Sequence, residues 1–292
     1  MIKRSLGERI FNVFNIILLT ALSLAMLYPF LYVVFASISD PMQFLQHKGI
    51  LFKPAGFSLL AYQKVFSKAE IWTGYGNTLF YSVVGTLVNM ILTITLGYGL
   101  SKKELKFARP IMLLIVFSMY FSGGMIPSYM VVRNLGLLDT RWAIILPTAV
   151  STFNLIIMRT AFEAVPQSIE EAALIDGASH LRLLVKIIIP LTMPTIAVLI
   201  LYYASAHWNS WFSSAIYLRD KGLYPLQLYL REILIINEQQ DMVMASDSAE
   251  QLALGSVIKY ATIIVATIPM LLVYPYLQRY FAKGVMVGAV KG

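Results

Sequence analysis

The stretch VPQSIEEAALIDGASHLRLLVKIIIPLTMP, residues 165–194, decides how this chain is read. It holds Glu170, Glu171, Asp176, Arg182 and Lys186, yet it lies between two long apolar runs. An Asp, Lys or Arg at mid-membrane costs about 2.5–3.5 kcal/mol on an insertion scale, so Asp176, Arg182 and Lys186 together would cost about 9 kcal/mol. The segment therefore stays in water. Its punctuation predicts two short helices around a turn. Ser168 and Glu171 have the S-x-x-E spacing of a capping box, and Pro166 stands just upstream, where it disrupts nothing. Glu170 and Glu171 fall in the first turn, which suits the helix dipole. Gly177 can take the left-handed conformation that closes a helix. Ser179 can cap a second helix to about Ile189, and Pro190 and Pro194 open the next apolar run.

The rest of the chain supplies the membrane. It has 292 residues, 58% hydrophobic and only 13% charged, with a mean hydropathy of +0.71; a soluble domain averages about 25% charged residues. Six runs are long enough to cross a bilayer, which needs roughly 20 residues: 12–38, 76–100, 110–130, 142–160, 191–215 and 256–277. Gly123, Gly124 and Pro127 interrupt the third, whose outer end can kink or become a separate short helix. The first follows Lys3, Arg4 and Arg9, but it is longer than the apolar core of a signal peptide and lacks a convincing small-residue cleavage site, so it reads as a span. The expected fold is an all-α membrane protein, one domain over 1–292 with about six transmembrane helices and a helix-turn-helix loop, 163–190, between spans 4 and 5.

Charge sets the orientation. With both termini and the 101–109 and 159–190 loops in the cytoplasm, that side holds thirteen of the 23 basic residues and six of the 15 acidic ones, a net of +7. The other side nets +1 from ten basic and nine acidic residues. The overall charge of +8 is thus a topology signal and not a nucleic-acid footprint. The outer segments are 39–75 and 216–255, the second predicted to be part helical.

Several chemistries are excluded. The chain has no cysteine, so thiol catalysis and thiolate metal sites are absent. Three histidines without an HExxH pair offer no metal site. The chain has no GxxxxGK[ST] phosphate loop, and no Asp or Glu lies in the middle of any span. Ion-coupled carriers usually keep such groups inside the membrane. These absences favour an external motor, although channels share them.

Two short helices on a loop need something to pack against, because isolated helices under about 12 residues are marginal in water. From the residues alone, that surface is either the protein's own inner face or another subunit. The pattern EEAALIDGAS…KIIIP resembles the EAA loop of permease subunits of ATP-binding-cassette importers, with Ile189 where the family usually has Leu. The stretches LYPFLYVVFASISDP, GYGNTLFYSVVGT, HWNSWFSSAIYLRD and QRYFAKGVMVGAVKG extend the likeness to the maltose-type carbohydrate permeases, nearest to the subgroup for complex or acidic oligosaccharides of alginate or polygalacturonate type.

The resemblance implies an inner-membrane subunit, non-catalytic, that binds no cofactor itself. It implies a second permease, two ATPase subunits holding ATP and Mg, and an extracytoplasmic solute-binding protein as partners. Glu170, Glu171, Ala172, Ala173, Asp176, Gly177, Ala178, Ser179, His180 and Arg182 would form the joint with the ATPase, with Glu171 and Gly177 central. His180 alone reads equally as a plain solvated residue.

For the sugar path, Asn77, Asn89, Asn154, His207 and Asn209 lie in or beside spans and serve either as helix-to-helix glue or as lining. Asn77 and Asn89 read first as glue. Trp208 and Trp211, three apart, would share a helical face beside His207 and Asn209, either to stack on a sugar ring or as an interfacial belt. The competing reading is an ion-coupled secondary transporter or an intramembrane enzyme.

Overall fold

The computed structural model describes residues 6–102, 104–121, 123–242 and 249–289. Lys3, Arg4, Lys103 and Lys291 of the charge count lie outside them. The described residues hold helices and no strand. They run as α1 (Leu6–Ser37), α2 (Pro41–Gln46), α3 (Leu60–Phe66), α4 (Ala69–Ser101), α5 (Ala108–Tyr120), α6 (Met125–Asn134), α7 (Trp142–Ile145) and α8 (Thr152–Glu163). Then follow α9 (Gln167–Ile175), α10 (His180–Leu183), α11 (Ile189–Leu191), α12 (Met193–Trp208), α13 (Phe212–Tyr217), α14 (Leu226–Met242) and α15 (Ala249–Ala289).

Three stretches are continuous, long and apolar enough to cross a membrane: Ile10–Ser37, Ala69–Ser101 and Leu252–Leu272. They correspond to the expected first, second and sixth spans. The other three spans are broken. The third is α5 and α6, parted where Gly124 takes φ +85°. The fourth is a short helical piece, Trp142–Thr148, and α8, bent by 52°. The fifth ends at Trp208 instead of 215, and it meets the helical stretch His180–Leu191 at 84°.

The chain divides into two compact units, Met1–Ala69 with Glu232–Ile268, and Glu70–Arg231 with Pro269–Gly292. In the first, Tyr260 sits edge-on to Tyr32 at 5.7 Å and to Phe44 at 5.5 Å. The Tyr28 hydroxyl receives the Leu51 amide.

The second unit is organised on α4. One face of this helix buries Asn77, Thr78, Tyr81, Ser82, Gly85, Thr86, Asn89 and Thr93. Near the start of the helix, Asn77 Nδ2 donates to the carbonyls of Gly222 (2.7 Å) and Tyr224 (3.1 Å), and Tyr81 donates to that of Leu223. Thr78 accepts from the Leu226 amide. At the far end, Lys102 pairs with Glu170. Asn77 and Lys102 are 25 residues apart, or roughly 38 Å along a helix at 1.5 Å per residue. Segment 222–226 and α9 are therefore tied to opposite ends of one membrane-length helix.

A two-sided hairpin and a polar cavity

The hairpin forms as its residues dictate, with one correction. The helix α9 begins at Gln167 behind Pro166, and no side chain caps it. Ser168 is already inside the helix, so the expected capping box does not form. Proline pre-sets the chain direction there, and Glu171 instead accepts a bond from Gln167 at 2.9 Å. The turn is as expected. Gly177 has φ +79°, the Ala178 amide reaches Ala173 O, and the Gly177 amide reaches Leu174 O. This is the double bond of a Schellman closure. Ser179 Oγ then accepts the Arg182 amide at 3.4 Å and starts α10.

Beyond α10 the helix widens to a π turn over Leu184–Ile188, with the Ile189 amide bonded to Leu184 O. Pro190 explains it. Proline offers no donor to Lys186 O and crowds it, and a π turn relieves that contact. Thr192 Oγ1 takes up Ile188 O.

One side of the hairpin is sealed against the membrane helices. Ala173, Leu183, Leu184 and Ile188 share a core with Met90, Met158, Phe162, Ile196, Leu199 and Tyr203. The Lys102 ammonium, paired with Glu170, also lies 4.3 Å from the Tyr98 ring centroid. Beside it, Arg159 Nε donates to Leu100 O (3.0 Å) and Nη2 pairs with Glu163.

The other side is bare. Glu171, Ala172, Asp176, Gly177, Ser179, His180 and Arg182 are exposed, while Ala173 is buried and Glu170 and Ala178 are half-buried. Among them stand Ile175, 86% exposed, and Leu181, 71% exposed. These two apolar residues were not singled out from sequence. The signal was available: in a segment too charged for lipid, an apolar side chain that misses the core faces water or a partner.

The candidate path residues part company. A cavity of about 170 Å³ is lined by Ile144, Thr148, Ser151, Asn154, Tyr202, Tyr203, Ala206, His207, Ser210 and Ser213. It brings together Asn154 and His207 only. The helix α12 ends at Trp208, and Trp211 precedes the separate helix α13, so the two indoles do not share a helical face. Trp208 is buried. Asn209 is exposed and bonds back to Ser205 O at 2.8 Å. Trp211 lies under the Arg231 guanidinium, 3.6 Å from ring centroid to Cζ.

Asn89 organises the cavity wall. The break in the fourth span frees the carbonyls of Thr148 and Ala149, and Asn89 Nδ2 donates to both, at 2.7 and 2.8 Å. Carbonyls only accept, so the amide orientation is fixed and Asn89 Oδ1 faces His207 Nε2 at 2.7 Å. Nε2 therefore carries a proton and donates to Asn89 Oδ1. Tyr203 hydroxyl accepts from the Ser151 amide and bonds to Thr93. Such irregular backbone at membrane depth occurs where it is buried in protein or lines a cavity.

At the end of α4 remote from the hairpin, the 137–140 and 217–220 loops are clipped together. Asp139, with φ +59°, accepts the Arg219 and Asp220 amides at 2.8 Å each. Those amides, Asp220 first and then Arg219, hold its carboxyl below the usual carboxylate range.

With this geometry in place, a family model decides the class: it is described as the binding-protein-dependent transport system inner membrane component, and it matches residues 1–287. The chain belongs to that family. This permease is 42% identical over 290 residues to the polygalacturonan/rhamnogalacturonan transport system permease protein YtcP of Bacillus subtilis, covering 98% of this chain and 99% of that one. It is 27% identical to the arabinooligosaccharides transport system permease protein AraQ of Halalkalibacterium halodurans, covering 91% of each. Its fold matches a chain in the crystal structure of a bacterial ABC transporter involved in the import of the acidic polysaccharide alginate, with a TM-score of 0.86 and 36% identity over 96% of this chain and 100% of that one. It is a multi-pass membrane protein of an importer.

Proposed function

We propose that this permease imports oligo- or polysaccharide, of acidic type as the names of the polygalacturonan/rhamnogalacturonan permease and the alginate importer suggest, as one of two permease subunits driven by two separate ATPase subunits and supplied by a solute-binding protein. ATP and Mg belong to the ATPases. Both termini and the 163–190 hairpin are cytoplasmic, and the 216–255 segment faces the binding protein. The observation that carries this reading is the two-sidedness of the hairpin. One side is cored into α4, α8 and α12, and the other offers Ile175 and Leu181 to water. Exposed apolar side chains grouped on a polar rim mark an interaction site.

Glu171, Asp176, His180 and Arg182 form that rim and meet polar groups of the ATPase, while Gly177 shapes the turn. Glu170 works inward through Lys102. Motion imposed on the hairpin then reaches α4 through this ion pair and the shared core. The same core contains Tyr203, which walls the cavity. That cavity, with hydroxyl, amide and imidazole groups and no charged lining residue, suits a hydroxyl-rich solute passing one ring at a time.

The test is reconstitution of the four-subunit complex with its binding protein. ATPase activity should rise with oligogalacturonide-loaded binding protein and not with the unloaded protein. Uptake that follows an ion gradient without ATP would refute the reading.

A further inference from the structure

A cavity of about 570 Å³ in the second unit is separate from the cavity beside His207 and lies where α4, α5 and α8 come together at the hairpin end. Its chemistry is two-part. Lys102, Lys106, Arg109 and Arg159 stand in its wall, and Met112 and Val116 of α5 form an apolar flank. Two of the cations are occupied: Lys102 by Glu170, and Arg159 by Glu163, which is the one acid of the lining. Lys106 and Arg109 are exposed and have no acidic partner among the described residues. The apolar flank continues onto the outer face of α5, where Leu113 is 64% exposed, Leu114 70% and Phe117 56%. A basic mouth at the start of α5, opening onto an exposed apolar wall, has the polarity profile of one phospholipid molecule.

We propose that this pocket binds an anionic phospholipid, its phosphodiester between Lys106 and Arg109 and an acyl chain along Met112, Leu113 and Val116. Assignment to the inner leaflet rests on the proposed orientation, whereas binding itself does not. A zwitterionic lipid adds an ammonium that the two free cations repel, so the site selects net negative charge. The bound lipid would brace the 101–109 loop beside Lys102, the residue that holds the hairpin.

The assembled transporter, purified in detergent, would be titrated with dioleoylphosphatidylglycerol or dioleoylphosphatidylethanolamine, with bound lipid counted by native mass spectrometry. Phosphatidylglycerol should bind in preference. Lys106→Gln with Arg109→Gln should weaken it about twenty-five-fold, taking each juxtamembrane cation at about five-fold. Lys64→Gln with Lys68→Gln, an equal loss of exposed charge in α3 and just after it, should change nothing. Equal binding of the two lipids, or full binding by the Lys106/Arg109 variant, overturns the proposal. Displacement by millimolar inorganic phosphate would make this a free-anion site. Binding to the isolated permease but not to the complex would show that a protein subunit covers the pocket. Neither result touches the importer reading, which is decided by transport.

Discussion

Breaking the Lys102–Glu170 pair tests whether the hairpin drives the membrane helices. Both side chains are largely buried, 19% and 18% exposed. An exposed pair is worth about 0–1 kcal/mol, and removing one partner of a fully buried pair costs about 3–5 kcal/mol. The Tyr98 face under the ammonium adds about 0.5–1 kcal/mol. Lys102→Met should therefore destabilise by about 2 kcal/mol, since it leaves a half-buried carboxylate unpaired. Glu170→Gln, which keeps an acceptor, should cost about 1 kcal/mol. The exchange Lys102→Glu with Glu170→Lys should recover part of the loss, but not the Tyr98 contribution. A double-mutant cycle on thermal unfolding reads the coupling energy, and the ratio of ATP hydrolysed to sugar imported reads function. Additivity within about 0.3–0.5 kcal/mol, together with an unchanged ratio in Lys102→Met, would refute the transmission route through α4.

Other outcomes follow from single contacts. A Cβ at Gly85 would lie 2.5 Å from His207 Nε2, so Gly85→Ala must displace the imidazole and break its bond to Asn89; overpacking and the lost bond together should cost about 2–4 kcal/mol, measured by thermal unfolding. A Cβ at Gly177 meets nothing, so Gly177→Ala should cost only the left-handed backbone term, about 1 kcal/mol, while Gly177→Pro, which cannot adopt φ +79°, should insert normally yet uncouple hydrolysis from uptake. Asp139 has a depressed carboxyl. Its contribution is therefore present above the unfolded value of about 3.9 and is lost as pH falls through the lower folded value. Hydrogen exchange at the Arg219 and Asp220 amides should quicken at that acid limit in the native chain, and Asp139→Asn should abolish the pH dependence.

What the sequence made legible, and what it hid, divides along a physical line. Continuous apolarity marks α1, α4 and the crossing part of α15, because a helix with no break needs only length. It did not reveal the breaks in the fourth and fifth spans. The carbonyls of Thr148 and Ala149 are affordable only because Asn89, about sixty residues earlier, donates to both, and one sequence offers no sign of such a pairing. The end of α12 at Trp208 escaped notice for a related reason: the run HWNSWF is aromatic enough to read as continuing helix, and this mistake put Trp208 and Trp211 on one face. The hairpin was more legible, because Gly177 and Ser179 act locally. Its one failure, at Ser168, came from Pro166, which took the capping position. Which acid faces inward was hidden as well. Glu170 and Glu171 look interchangeable until Lys102 claims the first.

The central claim is that the bare face of the hairpin is gripped by the ATPase from the cytoplasm. The chain has no cysteine, so Ile175→Cys or Leu181→Cys gives this subunit a single reporter thiol within the complete transporter. With a reagent carrying a maleimide and a photoreactive arm, either should cross-link to the ATPase subunit, and in intact cells neither should react with a membrane-impermeant maleimide. Labelling of these thiols from outside intact cells, or a transport-competent complex in which neither cross-links to the ATPase, would contradict the account.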